Sequence, residues 1–340
     1  MTHVADDVAI LGAGAWGTAL AVHIAGRSAL APRVILWTRR GDHADSLRRD
    51  RENARYLPGI ALPESVVVTS DLAAAGKASI AIVATPVAAL AAVAADLARA
   101  GSNARIAWLS KGFVALPDAP AGYGLAHQWL APRWPRAVGV ISGPSFAEEV
   151  ARGLPTALVV ASPDRMFAQD AAALLRGGTL RAYDSDDIAA VEVGGAIKNV
   201  LAIAAGLSDG LGFGHNARAA LITRGLAESV RLSTALGGRP QTLMGLAGLG
   251  DLVLTCTGDL SRNRRVGLAL AGGGKLSAIL ADLGHVAEGV HAARAAVALA
   301  VHHHLDMPIT AAVNAVLNDD LPVRDAVVAL LTREPKSEAA

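Results

Sequence analysis

The sequence predicts an α/β domain built on a parallel sheet, followed by an all-helical domain. In the first half, short apolar runs typical of strands alternate with Ala- and Leu-rich helical stretches, a pattern of parallel sheets covered on both faces. A glycine-rich loop follows the first run. From Ser185 to about Leu331, helical periodicity punctuated by glycine replaces the strands. We predict strands at residues 8–11, 33–37, 66–68, 79–83, 105–109, 138–141, 156–161 and 179–183.

The composition excludes several classes of protein. The 340 residues are 52% hydrophobic, which suits one large domain or two ordinary ones with a large core. A net charge of +1 gives no electrostatic basis for binding nucleic acid or anionic membranes, and no unbroken apolar run is long enough to span a membrane. The N-terminus lacks the pattern of a signal peptide. The single cysteine, Cys256, excludes an intrachain disulfide and favours a cytoplasmic location.

The loop at residues 12–17, Gly-Ala-Gly-Ala-Trp-Gly, predicts a dinucleotide-binding site. It follows a strand and leads into a helix at residues 18–25, the context that this motif requires. Gly12 permits the tight turn, Gly14 lets backbone approach a pyrophosphate, and Gly17 lets helix and strand pack closely. The helix amides and dipole favour the phosphates. We therefore expect NAD or NADP; a turn that merely tolerates glycine is the alternative.

The loop after the second predicted strand bears on which of these cofactors is used. An acid there would hold the ribose 2′-hydroxyl of NAD, but that strand ends in Arg39 and Arg40. Planar guanidinium groups suit a 2′-phosphate. We expect NADP(H) as the preferred cofactor and NAD(H) as a second one; a pair of solvated arginines is the alternative.

We assign residues 1–186 to an NAD(P)-binding Rossmann domain, residues 187–335 to a helical substrate and catalytic domain, and residues 336–340 to a tail. The boundary has no Pro- or Ser-rich linker, so we place it beside a long helix that starts near Asp187. Two packed domains leave a cleft between them, and small-molecule sites tend to lie in such clefts.

Two predicted strand ends carry candidate site residues. Lys111 follows the strand at residues 105–109, where it would meet a cofactor or an anionic substrate; an ordinary surface lysine is the alternative. Gly143 and Ser145 follow the strand at residues 138–141. Ser145 is a suitable cap for a helix beginning there, and Gly143 indicates close approach by another group.

The predicted helix through residues 191–200 is the most informative segment. Gly194 and Gly195 cost it about 2 kcal/mol relative to alanine, which indicates close packing or ligand approach. Lys198 stands in an otherwise apolar stretch, and burial lowers the pKa of a lysine toward values suited to proton transfer. A lysine that reaches solvent from an amphipathic helix is the alternative.

A donor-rich segment at residues 261–265, Ser-Arg-Asn-Arg-Arg, has the composition of a phosphate or carboxylate clamp. A helix capped by Ser261 with solvated arginines is the alternative. The run of histidines at residues 302–304 faces different ways on a helix, so we predict no metal site. Cys256 has no obvious base beside it, and we expect it to be a packed residue.

Together these motifs resemble the bacterial NAD(P)-dependent glycerol-3-phosphate dehydrogenase family. The resemblance covers almost the whole chain and extends to residues 53–59, 209–214, 220–228 and 245–257. It implies a Rossmann-like α/β domain and an all-α C-terminal domain of the 6-phosphogluconate-dehydrogenase-like kind. It also implies reversible reduction of dihydroxyacetone phosphate to sn-glycerol 3-phosphate for phospholipid synthesis. The implied partners are these small molecules, without nucleic acid or stable membrane insertion; a homodimer is left open.

The resemblance also implies roles for single residues. Lys198 matches the proton donor and acceptor. The substrate positions are Lys111, Gly143, Ser145, Lys198, Asp251, Ser261, Arg262 and Asn263. The cofactor positions are Gly12, Gly14, Ala15, Trp16, Gly17, Arg39, Arg40, Lys111, Ala147, Arg262, Val286 and Glu288. Two departures lie elsewhere: Val87 stands where the family often has serine, and His215 where it usually has aspartate.

These roles combine into a mechanism in which Lys198 protonates the alkoxide at C2 while Arg262, with its neighbours, holds the phosphate. Asp251 would orient Lys198 or bond a substrate hydroxyl. Two other hypotheses stay open. A β-hydroxyacid or 6-phosphogluconate-type dehydrogenase also pairs a Rossmann domain with a helical one. A non-catalytic NADPH-binding sensor would need no lysine in the cleft.

Overall fold

The computed structural model describes residues 7–27, 32–283 and 288–334. The candidate cofactor residue Val286 and the predicted tail lie outside these residues. The strands are β1 Asp7–Leu11, β2 Arg33–Trp37, β3 Glu52–Asn53, β4 Leu57–Ala61, β5 Val67–Thr69, β6 Ile80–Val83, β7 Arg105–Trp108, β8 Val114–Ala115, β9 Tyr123–Gly124, β10 Val138–Ser142, β11 Thr156–Ala161 and β12 Leu180–Ser185. In the described residues, no strand follows β12.

Helices alternate with the strands in the first half and make up the second. They are α1 Ala15–Ala25, α2 Gly41–Asp50, α3 Leu72–Ala75, α4 Val87–Arg99, α5 Ala126–Leu130, α6 Ala147–Ala151, α7 Arg165–Leu175, α8 Ile188–Gly210, α9 Gly214–Ala235, α10 Pro240–Leu243, α11 Asp251–Thr257, α12 Arg262–Ala271, α13 Leu276–Leu283, α14 Glu288–His302, α15 Pro308–Asn318 and α16 Val323–Leu331. A 3₁₀ turn, Ala131–Arg133, follows α5, and a π-helical turn, Leu246–Gly250, precedes α11.

The main sheet has 8 strands in the order β12-β11-β10-β7-β6-β1-β2-β5. Its central strands are buried on both faces, as their unbroken apolar sequences require. The α/β prediction is confirmed, but the sheet is not wholly parallel. β11 runs antiparallel to β10 because the chain returns beside β10 through the short α6. β3–β4 and β8–β9 form small antiparallel ribbons that apolar periodicity did not reveal.

The second half is organised around α8. This helix is long and apolar enough to cross a membrane, yet it is enclosed by the protein and forms the core of the helical half. Asp187 caps it by accepting a hydrogen bond of 3.1 Å from the backbone N–H of Ala190. α12 crosses α8 at two glycines: a Cβ at Gly206 would lie 2.0 Å from the carbonyl oxygen of Arg264, and a Cβ at Gly267 would lie 2.1 Å from that of Ile203. The two backbones therefore touch without intervening side chains.

Candidate active site

The glycine-rich loop has the geometry that its sequence predicts. Gly12 has φ +128°, and a Cβ there would lie 2.9 Å from the backbone of Ala84 on the neighbouring β6 loop. A Cβ at Gly17 would lie 1.9 Å from the carbonyl oxygen of Gly12. At Gly14, by contrast, a Cβ would meet no described atom within 4 Å, and no side chain caps the first turn of α1. The loop thus leaves open space in front of free helix amides, which fits a pyrophosphate.

The end of β2 is joined directly to this loop. The backbone N–H of Gly12 donates to the carbonyl of Trp37 at 2.9 Å, and Nε2 of His43 lies 3.2 Å from the carbonyl oxygen of Ala13. Arg39 is exposed and has no hydrogen bond or ion pair within the described residues. Arg40 instead pairs with Asp42. Of the two arginines expected to act together, Arg40 is therefore engaged in an ion pair and Arg39 is unpaired among the described residues.

One carboxylate joins the two candidate lysines. Asp251, the first residue of α11, accepts from Nζ of Lys198 through Oδ1 at 2.5 Å and from Nζ of Lys111 through Oδ2 at 2.7 Å. Lys198 also donates to the hydroxyl of Thr255 at 3.0 Å. Lys111 comes from the carboxyl end of β7, Lys198 from the middle of α8. The cluster therefore lies where the sheet domain meets the helical domain.

Burial and charge set the protonation of this cluster. Burial lowers the pKa of Lys198 to about 8; the nearby Asp251 raises it, and Lys111 lowers it further. Burial alone would raise the pKa of Asp251, but the charges of Lys111 and Lys198 hold it below its usual value. A lysine poised near neutrality beside a permanent carboxylate can both give and take a proton. Lys198 is buried, so it is not a lysine that reaches solvent from an amphipathic helix.

Two consecutive glycines in α8 make this arrangement possible. A Cβ at Gly194 would lie 2.5 Å from the carbonyl oxygen of Ala247 in the π-helical turn that leads to Asp251. A Cβ at Gly195 would lie 3.2 Å from Oγ of Ser142 and 3.4 Å from Cγ of Lys111. Gly194 therefore serves packing, whereas Gly195 brings the helix close to the site. Close packing, one of the two explanations left open from the sequence, is confirmed at both glycines; ligand approach stays a prediction.

The N-terminus of α12 is a second anion-binding candidate. Ser261 caps the helix, its Oγ accepting from the backbone N–H of Arg264 at 3.3 Å. Asn263 is turned inward, donating to Oδ1 of Asn199 at 2.9 Å and accepting from the backbone of Gly289 at 3.2 Å. Arg262 is exposed and makes no hydrogen bond or ion pair within the described part of the chain. Of the expected clamp, only Arg262 and Arg265 are exposed and lack a side-chain partner among the described residues.

α12 is held on α8 by a partly buried ion cluster. Oδ2 of Asp209 accepts from Arg264 through Nε at 2.9 Å and Nη2 at 2.8 Å, and from Nη1 of Arg218 at 2.9 Å. Asp259 pairs with Arg264 from the solvent side at 3.0 Å. His215, one of the departures from the family pattern, contacts Arg218. The cluster fixes the helix turn that carries Arg262.

The comparisons with known proteins agree over the whole chain. The model of the NAD-dependent glycerol-3-phosphate dehydrogenase N-terminus matches residues 7–168, and that of its C-terminus matches residues 187–328. The glycerol-3-phosphate dehydrogenase (NAD(P)+) of Aromatoleum aromaticum is 52% identical over 336 residues, 97% of this chain and 99% of that protein. The chain belongs to the NAD-dependent glycerol-3-phosphate dehydrogenase family. The enzyme of that name from Dechloromonas aromatica is 53% identical over 337 residues, 98% of this chain and 99% of that protein.

Solved structures give the same family. The crystal structure of glycerol-3-phosphate dehydrogenase from Coxiella burnetii superposes with a TM-score of 0.90 at 42% identity, covering 97% of this chain and 99% of that chain. The predicted family resemblance and the combination of a Rossmann-like domain with a helical domain are thus confirmed. A ketopantoate reductase from Ralstonia eutropha, at 16% identity and a TM-score of 0.58, shares the fold alone.

The remaining residues carried over from the family lie around these groups. Trp16, in the first turn of α1, donates to the carbonyl of Ser145 at 3.3 Å, and Ala147 begins α6 beside it. Ser145 does not cap α6 as expected: Phe146 occupies the N-cap, and the Ser145 hydroxyl donates to the carbonyl of Gly143 at 2.9 Å. That bond braces the tight turn, where Gly143 has φ +137°.

Glu288 and Val87 meet across the cleft. Burial raises the pKa of Glu288, and the backbone N–H of Val87, Arg262 and Lys111 oppose that shift. The Val87 side chain lies against Gly112, where a Cβ would be 2.9 Å from its Cγ1. The serine that the family often has at position 87 is thus replaced by an apolar contact with the loop that carries Lys111.

Sequence reasoning missed several polar groups at the site. Thr255 accepts a hydrogen bond from Lys198 and lies one helical turn after Asp251. Asn199 accepts a hydrogen bond from Asn263 and directly follows Lys198. The Ser142 hydroxyl is buried and has no partner in the described residues.

In the described residues no group of three His, Cys, Asp or Glu side chains could hold a metal ion. Burial raises the pKa of Cys256 to about 12, so its thiol is a packed group.

Proposed function

We propose that the chain reduces dihydroxyacetone phosphate to sn-glycerol 3-phosphate with NADPH or NADH, in the mechanism outlined below. The observation that carries this proposal is the Lys111–Asp251–Lys198 cluster, which lies at the carboxyl end of β7 and faces the cleft. The names of relatives about 50% identical support the same reaction. The two lysines in the cleft disfavour a sensor without catalysis.

The nucleotide fits the described residues, because Gly14 and the uncapped first turn of α1 leave both space and free amides. We propose that Gly12, Gly14, Ala15, Trp16 and Gly17 would hold the pyrophosphate, and that Ala147, which begins α6 beside Trp16, and Glu288 would also contact the cofactor. When bound, the cofactor supplies the hydride. Arg39 is free to meet a 2′-phosphate, which supports NADPH as the preferred form.

Lys198 is the proton donor in this proposal. Its ammonium group, held by Asp251 and Thr255, protonates the oxygen at C2 as negative charge develops there. Lys111 adds positive charge to the same region. In the reverse direction the neutral amine of Lys198 takes the proton from the C2 hydroxyl. The carboxylate of Asp251 keeps both ammonium groups in place through the cycle.

The substrate phosphate belongs at the start of α12. The guanidinium group of Arg262 and the first amides of α12 provide positive charge and donors, and the Ser261 hydroxyl keeps its O–H free while its oxygen caps the helix. Asn263 acts through Asn199, positioning α12 against α8. Gly143 and Ser145 shape the opposite wall. Binding energy from the phosphate orients the carbonyl toward Lys198.

The assay follows the oxidation of NADPH and, in parallel, of NADH by their absorbance, with dihydroxyacetone phosphate as substrate. We expect turnover with both cofactors and a higher kcat/KM with NADPH. 6-Phosphogluconate with NADP+ serves as the competing substrate. Turnover of 6-phosphogluconate, or no oxidation with dihydroxyacetone phosphate, would reject the proposal.

We propose a cytoplasmic location and a division into domains at Asp187. The single cysteine and the enclosure of α8 by the protein core support the cytoplasmic location. The end of the sheet at Ser185 and the start of α8 at Ile188 support the domain boundary. Expression of the two halves as separate chains, followed by circular dichroism, tests whether each folds by itself.

A further inference from the structure

We propose that Asp42 sets the preference between NADPH and NADH by holding Arg40 away from a 2′-phosphate, so that Arg39 alone recognises that group. The inference rests on the cofactor site proposed above and names a residue that acts on its specificity. The residues concerned are Arg39, Arg40 and Asp42, which lie between the end of β2 and the first turn of α2.

This segment lies where the adenosine ribose of a bound dinucleotide belongs. In Rossmann domains the pyrophosphate lies on the first helix, and the residues after the second strand reach the ribose 2′ position. Here Gly12 donates to Trp37 at 2.9 Å, which fixes the end of β2 beside the glycine-rich loop. His43, in the first turn of α2, reaches the carbonyl oxygen of Ala13 at 3.2 Å. The segment is thus tied to the loop at both its ends.

Of the two arginines in that segment, Arg40 has a side-chain partner and Arg39 has none in the described residues. Nε of Arg40 donates to Oδ1 of Asp42 at 3.0 Å, and a second bond joins Arg40 Nη2 to Asp42 Oδ2. Both edges of the carboxylate are occupied, and Oδ1 also accepts from the backbone N–H of His43 at 2.9 Å. Arg39 has no such partner in the described residues. Only Arg39 is free to bind an incoming phosphate.

Asp42 has the charge needed to compete for Arg40 at every working pH. The hydrogen bonds from Arg40 lower the pKa of Asp42 to about 2. A bidentate arginine–carboxylate pair satisfies the planar fork that would otherwise bind a phosphate. The carboxylate also adds negative charge near the site of the 2′-phosphate. Both effects penalise NADPH, whereas neither penalises NADH, which has a hydroxyl there.

The test measures the binding of NADPH and of NADH to the original protein and to Asp42→Ala. The quenching of tryptophan fluorescence reports the binding. We expect Asp42→Ala to tighten NADPH binding by about fivefold, a modest factor because exposed ion pairs are weak, without tightening NADH binding. Asp50→Ala is the matched control, because Asp50 forms an equivalent exposed pair with Arg49 on the same helix, at 2.8 Å and 2.9 Å. An equal effect in Asp50→Ala would overturn the proposal.

A double-mutant cycle isolates the role of Arg40. If Asp42 acts by holding Arg40, the gain for NADPH disappears when Asp42→Ala is combined with Arg40→Ala. A gain that persists without Arg40 would overturn the proposal. Arg39→Ala should weaken the binding of NADPH in the original protein and in each of the Asp42 and Arg40 variants. These titrations need no substrate turnover, so a failed reductase assay and a failed specificity proposal give different results.

Discussion

Nζ of Lys198 donates a hydrogen bond to Asp251 at 2.5 Å, which joins the central helix α8 to α11. Lys111, which follows β7 of the sheet, donates to the same carboxylate. The side chain of Asp251 is only 1% exposed, so its two lysine partners, and not water, stabilise the negative charge of the carboxylate. The fold therefore positions Lys198, the proposed proton donor, before any ligand binds.

Lys198→Ala should abolish most of the turnover. We expect kcat to fall by roughly 10²- to 10⁴-fold, the range of a positioned general acid, because the substitution removes the proposed proton donor to the C2 oxygen. NADPH binding should be retained, since Lys198 is not among the residues of the glycine-rich loop. Steady-state kinetics and a fluorescence titration measure the two quantities. Lys77→Ala, at an exposed lysine of the sheet domain, is the control, and a near-normal kcat in Lys198→Ala would remove Lys198 from the mechanism.

The pH dependence of the two directions should be opposite. Lys198 has a pKa of about 8, so the protonated form needed for reduction is lost as the pH rises through 8, while the neutral form needed for oxidation appears. Because Asp251 raises this pKa, Asp251→Asn should move the decline of reduction to lower pH. Profiles of kcat against pH for both directions test this. Asp50→Asn should leave the profile in place; an unshifted profile in Asp251→Asn would contradict the electrostatic coupling.

Much of this site was predictable because its parts are local in sequence. The glycine-rich loop is specified within six residues, and the apolar surroundings of Lys198 indicated its burial. The pairing of Lys111 and Lys198 through Asp251 was not predictable from spacing, since the three residues come from β7, α8 and α11 and meet only after the domains pack. The inward turn of Asn263 depends in the same way on Asn199 of a different helix.

The departures from the predicted fold also have local causes. β11 was expected in a parallel sheet, but α6 has only 5 residues and does not carry the chain back across the sheet. A connection between parallel strands usually runs through a longer helix that returns the chain across the sheet. Ser145 satisfies every sequence preference for a helix cap, yet its hydroxyl is used by the carbonyl of Gly143. Competition between two local hydrogen bonds decides that position, and composition does not reveal which one forms.

Gly206→Ala should destabilise the protein by separating α12 from α8. The added Cβ would lie 2.0 Å from the carbonyl oxygen of Arg264, and backbone atoms on both sides leave no flexible group to give way. We expect a loss of about 2 kcal/mol or more in the free energy of unfolding, as for overpacked interiors. Urea denaturation followed by circular dichroism measures it. Gly41→Ala is the control, since its Cβ would meet nothing within 4 Å, and equal stabilities of the two variants would argue against backbone contact at the crossing.

Asp209→Asn should weaken substrate binding without a comparable effect on chemistry. Asp209 anchors Arg264, whose neighbour Arg262 is proposed to hold the phosphate, and Asn cannot compensate the charges of Arg264 and Arg218. We expect KM for dihydroxyacetone phosphate to rise roughly tenfold, the equivalent of one partly buried charge-assisted hydrogen bond, with kcat at saturation changed far less.

Asp259→Asn is the matched comparison, because Asp259 pairs with the same guanidinium group while its side chain is 97% exposed. An exposed pair contributes about 0–1 kcal/mol, so KM should stay near its original value. KM for NADPH should change less than KM for dihydroxyacetone phosphate in Asp209→Asn, since the glycine-rich loop is not part of this ion cluster. Equal increases of KM for dihydroxyacetone phosphate in the two variants would show that burial of Asp209 is not what positions α12.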